Sequence, residues 1–199
     1  PFYFLIANYW TKLVGLSEAK LRLLSAIFGT ISIFMIFAIG RMLFGYKVGL
    51  ISAFILAINF MHINYSQEAR GYSLVILLAL FTAYFLIKSL NGKKSAYWLG
   101  YSITGALLVY THYFGYFIHF FEALYVLAFF KQYRESIKRA VMSAIGIFVL
   151  YVLWVPALFR QIADSEKLAW YLGKNIIYDL ARIFVQFNAW FVPDAQTRT

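Results

Sequence analysis

The chain has 199 residues, of which 63% are hydrophobic, 21% are aromatic and only 13% are charged. Soluble domains have about 45–50% apolar and about 25% charged residues, so this composition excludes a water-soluble domain of this size. Cysteine is absent, which excludes disulfides and thiolate metal sites. The net charge of +10 comes from basic residues in short stretches between apolar segments. We therefore interpret the charge as a membrane topology signal and expect no nucleic-acid partner.

The apolar segments predict an all-α, polytopic membrane helical bundle. Residues 1–15 are too short for a span and carry Tyr and Trp, which predicts an interfacial helix at headgroup level. About six transmembrane helices follow, because a span requires about 20 predominantly apolar residues. They are predicted over residues 21–42, 48–62, 70–88, 96–110, 114–130 and 139–158, the second and fourth being short.

The basic residues predict which face of the membrane is cytoplasmic. One set of loops holds nine Lys or Arg residues and a single acid, Glu135, which indicates the cytoplasmic side. The opposite set, with residues 62–74 and 111–115, is then predicted to face the outside. Both short spans end at this outer face, which suggests loops that dip into the bilayer around a polar cavity. The nine basic residues are Arg41, Lys47, Lys88, Lys93, Lys94, Lys131, Arg134, Lys138 and Arg139.

The stretch "HINYSQEARGYSL" contains the strongest candidate site, Glu68 and Arg70. Ionisable residues near membrane depth are costly and tend to be functional. Asn64 followed by Gln67 resembles a capping box, which predicts a helix N-terminus here that would bind phosphate. Arg70 would clamp the same phosphate, and Glu68 would accept a proton or bind a sugar or a metal ion. The alternative is that Glu68 only caps the helix and forms an ion pair with Arg70.

The stretch "THYFGYFIHFFEA" contains a second polar group. His112, His119 and Glu122 are spaced to lie near one helical face. We interpret His119 and Glu122 as an internal hydrogen-bonded pair, with metal binding as the alternative. His112 and Tyr113 are better site candidates, because they are predicted on the same outer face as Glu68. If a divalent metal ion takes part, Glu68 and His112 are its candidate ligands.

Further charged residues flank the first predicted span and the end of the core. Glu18, Lys20 and Arg22 precede the first span and are interpreted as a snorkelling belt, the alternative being that Lys20 and Arg22 face an anionic lipid headgroup. A lid over the outer face would draw on Arg160, Gln161, Trp170 and Tyr171.

Several motifs occur in an order that resembles one family. They are "PFYFLIANYW", "LRLLSAIFG", "GRMLFG", "HINYSQEARGYSL", "YTHYFG" and "WVPALFRQ", which together extend from residue 1 to about residue 161. The chain resembles the dolichyl-phosphate-mannose protein mannosyltransferase-like family, the prokaryotic family 39 type of membrane glycosyltransferase with the C-type fold. The resemblance implies a partial membrane core over residues 1–160 and an outer-face amphipathic segment over 161–199.

The resemblance also implies a reaction. Family members transfer a sugar from a polyprenyl-phosphate carrier to a lipid, glycan or protein acceptor on the extracytoplasmic face of the cell membrane, with inversion at the anomeric carbon. Their usual base is an acidic residue in the first outer loop, after a first span. This chain begins after that point, so the base is expected outside it and the piece alone is expected to be inactive.

Combining the residues with the resemblance gives a predicted donor site. Arg70, Gln67 and Tyr65 would bind the donor phosphate, with Glu68 as an auxiliary catalytic group. His62, Tyr72, His112 and Tyr113 would line the substrate cavity. No cofactor is assigned with certainty, and a divalent metal ion is the one candidate. A multi-span transporter or a non-catalytic membrane subunit remains the alternative, although a transporter would be expected to carry broken polar segments in paired halves near mid-bilayer.

Overall fold

A computed structural model describes residues 2–92, 94–152 and 155–156 of the chain, and all regular structure in these ranges is helical. The prediction of an all-α protein is confirmed. The helices are α1 (Phe2–Val14), α2 (Glu18–Phe44), α3 (Tyr46–Ile58), α4 (Phe60–Gln67), α5 (Tyr72–Asn91), α6 (Ser95–Thr111), α7 (Phe114–Ala128), α8 (Phe130–Tyr133) and α9 (Ile137–Val152), with a 3-10 turn at Arg134–Ser136.

Two helices of the described ranges are long and apolar enough to cross a membrane. They are α2, with 27 residues, and α5, with 20 residues. Two further spans are possible if bent pairs are counted: α3 with α4, bent by 59°, and α7 with Phe130–Val152, bent by 87°. The described residues therefore supply two to four candidate spans where the sequence predicts about six.

Local features of the helices account for the difference between these two to four candidate spans and the six that the sequence predicts. The predicted second span is interrupted at Asn59, whose side chain accepts a hydrogen bond from the His62 N–H at 2.9 Å and so begins a new helix. Helix α6 has 17 residues, slightly fewer than a span of ordinary length. The fifth and sixth predicted spans form the pair bent by 87°, an angle that does not fit two separate antiparallel spans.

Close helix packing depends on small residues at two contacts of α2. A Cβ added at Gly40 would lie 2.9 Å from the Cα of Gly49 in α3, so only glycine fits between these helices. A Cβ added at Gly29 would lie 2.8 Å from the Cβ of Ser66 in α4. Small residues allow membrane helices to approach closely where apolar burial offers little driving force between them. The contact at Gly29 fixes α4, and with it the segment that carries Glu68.

Helix α1 lies against the start of α2. It buries Tyr3 and Ala7, and the Tyr3 hydroxyl is 3.3 Å from the Ser25 hydroxyl. The Lys20 ammonium donates a hydrogen bond to the Val14 carbonyl oxygen and so caps the end of α1. This contact gives Lys20 a structural partner that neither of the sequence interpretations for it included.

Large apolar side chains remain exposed on the outer surfaces of α2, α3, α7 and α9. Phe34, Phe54, Phe121 and Phe148 are 63–67% exposed. In a soluble protein such a surface would drive aggregation, whereas lipid accepts it. The many aromatic side chains of this composition therefore lie largely on the surface.

Candidate functional site

An open polar groove lies at the N-terminal end of α2, where α4 ends. Its volume is about 470 Å³, and charged or amide side chains form most of its wall. The lining residues are Glu18, Arg22, Asn64, Gln67, Glu68, Ala69 and Arg70. The groove thus brings Gln67, Glu68 and Arg70 together, as predicted, and adds a second acid and a second arginine from α2.

The segment between α4 and α5 holds Glu68 and Arg70 in place through its backbone. The Ser25 hydroxyl of α2 donates a hydrogen bond to the Arg70 carbonyl oxygen at 3.4 Å. At Gly71, an added Cβ would lie 3.2 Å from the Cβ of Tyr3 and 3.5 Å from a Thr111 methyl group. Because α1, α2 and α6 contact this segment, its path is fixed while the Arg70 side chain stays exposed.

Glu68 offers an unused acceptor oxygen. The Asn64 amide donates a weak hydrogen bond to Glu68 Oε1 at 3.4 Å, whereas Oε2 is buried and has no partner among the described residues. A buried carboxylate oxygen without a donor is costly. A hydroxyl or amide donor from a ligand would satisfy it.

The two arginines of the groove differ in their partners. Arg22 forms an ion pair with Glu18 at 2.5 Å, but the two side chains are 54% and 75% exposed. Exposed pairs of this kind contribute about 0–1 kcal/mol, so Arg22 can leave Glu18 at small cost. No ion pair between Glu68 and Arg70 occurs in the described residues. Of the alternative interpretation, in which Glu68 only caps a helix and forms an ion pair with Arg70, the ion pair is therefore not found.

The predicted capping box at Asn64 and Gln67 is also wrong. Both residues lie inside α4, which is capped by Asn59, and Glu68 is the C-terminal cap of that helix. The next helix begins at Tyr72, and its first turn is covered by Tyr3 and Thr111 at Gly71. The lining of the groove ends at Arg70. The start of α5 therefore does not line the groove, contrary to the predicted helix N-terminus at this position.

Four predicted site residues form a row of aromatic contacts and do not line the groove. The ring centroids of Tyr65 and Tyr72 are 4.7 Å apart, those of Tyr72 and His112 6.1 Å, and those of His112 and Tyr113 4.5 Å. His112 Nδ1 accepts a hydrogen bond from the Phe114 N–H at 3.2 Å, which requires an unprotonated nitrogen. Burial lowers the pKa of His112 from its ordinary value, which favours the same neutral form. Their contribution to a substrate cavity stays a prediction.

His62 lies away from the groove, contrary to its predicted place in the substrate cavity. It is only 4% exposed, and its Nε2 lies 3.2 Å from the Gly29 carbonyl oxygen in the contact between α2 and α4. The physical reason is the helix that begins at Asn59, because its first turn directs His62 toward α2. His62 therefore packs the helix that precedes Glu68.

Metal ligation receives no support from the arrangement of acids and histidines. Within residues 2–92 and 94–152, no three His, Asp or Glu side chains approach each other closely enough to hold a metal ion. Among the described residues, neither Glu68 nor His112 therefore belongs to a cluster of the size that a protein metal site ordinarily has.

The interpretation of His119 and Glu122 as an internal pair is confirmed. His119 Nδ1 lies 2.8 Å from Glu122 Oε2, and the Tyr101 hydroxyl donates to the same oxygen at 3.1 Å. His119 Nε2 lies 3.2 Å from the Gly105 carbonyl oxygen, so both ring nitrogens face acceptors. A proton must therefore sit between His119 and Glu122. The pair borders a mainly apolar cavity of about 410 Å³.

Sequence reasoning missed the role of Glu18 and Arg22 as walls of the groove. Their only signal was a pair of charges directly before a span on the predicted outer side, which is also the pattern of an ordinary interfacial belt. The lid candidates Arg160, Gln161, Trp170 and Tyr171 lie outside the described residues, as does the predicted segment 161–199.

Comparison with protein-family models finds one that matches residues 1–160, described as Dolichyl-phosphate-mannose-protein mannosyltransferase. No curated protein and no solved structure matches the chain. The matched range contains the groove and all the described helices.

Proposed function

The chain belongs to the dolichyl-phosphate-mannose-protein mannosyltransferase family of membrane glycosyltransferases, and we propose that its groove binds the phosphate of a polyprenyl-phosphate-linked sugar. The sugar is passed to a lipid, glycan or protein acceptor on the extracytoplasmic face of the cell membrane. The observation that carries this proposal is an open groove at a helix end that contains both Arg70 and Glu68. Among the described residues, Arg70 has no acidic partner and Glu68 Oε2 has no hydrogen-bond donor.

Arg70 is the primary contact for the donor phosphate. Its guanidinium is exposed at the groove and can form two parallel hydrogen bonds with one phosphate. Arg22 supplies a second cation when its ion pair with Glu18 breaks, and breaking this exposed pair costs about 0–1 kcal/mol. Gln67 offers an amide donor on the same wall. The four charged groups sum to zero in the empty groove, and the bound phosphate pairs with the arginines.

Glu68 is an auxiliary group for the sugar or the acceptor. Its free Oε2 accepts a hydrogen bond from a hydroxyl of the sugar or the acceptor, and this bond orients the hydroxyl. The same bond holds the carboxylate close to the positive charge that develops on the sugar. An oxocarbenium-like transition state gains from a nearby negative charge. The proton of the acceptor is taken up by a separate base, and Glu68 is assigned orientation and electrostatic stabilisation.

The reaction is a single displacement. The acceptor hydroxyl loses its proton to a base, its oxygen bonds to the anomeric carbon, and the bond from that carbon to the phosphate oxygen breaks with inversion. Negative charge moves onto the departing polyprenyl phosphate. Arg70 stabilises this charge as it develops, so its removal is expected to lower the rate of transfer as well as donor affinity.

The test uses the full-length protein in membranes and a radiolabelled polyprenyl-phosphate sugar. Arg70→Ala is expected to reduce transfer about 100-fold, the usual cost of one electrostatic contact in a transition state. Glu68→Gln should reduce it less. Arg139→Ala, an exposed arginine of α9, is the matched control and should retain activity. Wild-type activity in both groove variants would overturn the site, and movement of an unaltered sugar lipid would indicate a transporter.

A further inference from the structure

A second charged cavity lies at the C-terminal ends of α2 and α5, whereas the groove lies at the N-terminal end of α2. Its volume is about 380 Å³, and its lining consists of Phe37, Ala38, Arg41, Met42, Tyr84 and Lys88. Arg22 and Arg41 are 19 residues apart on α2, which at 1.5 Å per residue separates the two sites by about 28 Å. This cavity is therefore independent of the groove and of the function proposed for it.

The cavity has a positive charge that the described side chains leave uncompensated. No acidic side chain lines it, and neither Arg41 nor Lys88 forms an ion pair with the described residues. The Lys88 ammonium lies 5.8 Å from the centre of the Tyr84 ring, a cation–π contact that keeps it at the cavity wall.

Helix capping accounts for only part of this charge. Arg41 and Lys88 lie in the last turns of α2 and α5, where basic residues complement the helix dipole. Each helix C-terminus carries about half a negative charge, so two termini offset about one of the two positive charges. About one positive charge remains for a ligand.

The other walls of the cavity are apolar. Phe37, Met42 and Tyr84 lie beside the cations, so a ligand that joins a negative group to hydrocarbon would contact both kinds of surface. The basic loops place this end of the bundle at the predicted cytoplasmic surface, where lipid headgroups lie. Basic pockets between helices at this level are suited to anionic lipid headgroups.

We propose that the cavity between Arg41 and Lys88 binds the phosphate group of an anionic phospholipid. An anionic lipid is favoured over a zwitterionic one because, in the part of the chain that the structure describes, no acidic side chain lines the cavity to pair with a choline or ethanolamine ammonium. Free phosphate has the same charge but lacks the chains that would contact Phe37, Met42 and Tyr84.

Binding is tested by native mass spectrometry on the detergent-solubilised full-length protein. Phosphatidylglycerol and phosphatidylcholine of identical chains are titrated, and inorganic phosphate is added as a competitor. Wild type should retain phosphatidylglycerol about tenfold more tightly than phosphatidylcholine. The double variant Arg41→Gln/Lys88→Gln should lose about 30-fold in affinity for phosphatidylglycerol, since each of the two basic residues contributes about 1 kcal/mol near an anionic surface.

The matched control is Lys131→Gln/Arg139→Gln, which removes the same charge from exposed positions on the same predicted face. It should change the affinity less than twofold. The swap Arg41→Lys/Lys88→Arg keeps both charges, so it should bind lipid, which separates loss of charge from loss of fold. Equal losses in control and cavity variants, or equal binding of the two lipids, would overturn the proposal. Displacement of phosphatidylglycerol by millimolar inorganic phosphate would overturn the lipid assignment.

Discussion

Replacing Gly29 by alanine is expected to push α4 away from α2. The new Cβ would lie 2.8 Å from the Cβ of Ser66 and closer still to its hydroxyl oxygen, while His62 Nε2 would be 3.7 Å away. The Ser66 hydroxyl cannot turn aside freely, because it donates a hydrogen bond to the His62 carbonyl oxygen at 2.6 Å. The helix must therefore move, and Glu68 immediately follows it.

The magnitude is the difference between two effects. Alanine in place of a helical glycine stabilises by about 0.5–1 kcal/mol, whereas overpacking costs about 1–3 kcal/mol. We therefore expect a net loss of about 0–2.5 kcal/mol in the free energy of unfolding for Gly29→Ala. At Gly146 an added Cβ would be 3.6 Å from the Ser102 hydroxyl, an ordinary contact. Gly146→Ala should accordingly be neutral or slightly stabilising.

Unfolding is followed in detergent for Gly29→Ala, Ser66→Gly and the double variant, with Gly146→Ala as the control. Ser66→Gly opens the space that the new methyl group needs, so the double variant should recover stability beyond the sum of the single changes. Sugar transfer by Gly29→Ala should fall with the displacement of Glu68. A Gly29→Ala protein as stable as Gly146→Ala, with no coupling to Ser66, would refute the close approach of the two helices.

Three other changes test separate contacts. Tyr3→Phe should lower the free energy of unfolding by about 0.5–1.5 kcal/mol, because the hydrogen bond to Ser25 is lost, and thermal unfolding measures this. His119→Ala should cost about 3–5 kcal/mol by leaving the buried Glu122 with only the Tyr101 hydroxyl as a partner, whereas His119→Leu/Glu122→Leu should cost far less. Equal losses would contradict a buried pair. Burial lowers the pKa of His112, so the unfolded chain protonates at this residue before the folded protein does as the pH falls below about 6.5. The free energy of unfolding should therefore decrease on acidification, and it should decrease less in His112→Asn than in wild type.

Composition and hydropathy predicted the fold class because lipid-facing surface needs many more apolar residues than a soluble fold provides. The all-α architecture and the separate short helix α1 follow from the same pattern. Helix breaks were harder to predict. Asn59 and Asn64 are both asparagines in the same stretch of sequence, but only Asn59 accepts a hydrogen bond from an N–H three residues later and begins α4.

The candidate site was predicted in part because charge in an apolar chain is conspicuous. Glu68 and Arg70 stood out for this reason, and the structure places both in one groove. Arg22 and Glu18 did not stand out, since charges next to a span are common. They lie in the same groove as Glu68 because α4 packs against α2, a tertiary contact that local sequence does not specify. The burial of His62 has the same origin.

The donor site is tested most directly by a single thiol in the groove. The 199-residue chain has no cysteine, and Ala69 lines the groove between Glu68 and Arg70, so Ala69→Cys introduces a unique probe there. In the full-length protein, with any other cysteine replaced, a membrane-impermeant thiol reagent should label this position from the outer face. Polyprenyl-phosphate sugar should slow the labelling, and Arg70→Ala should remove that protection. A cysteine at Leu43, near the other end of α2, is the control. Labelling of Ala69→Cys at the same rate with and without the donor would contradict a donor phosphate site in this groove.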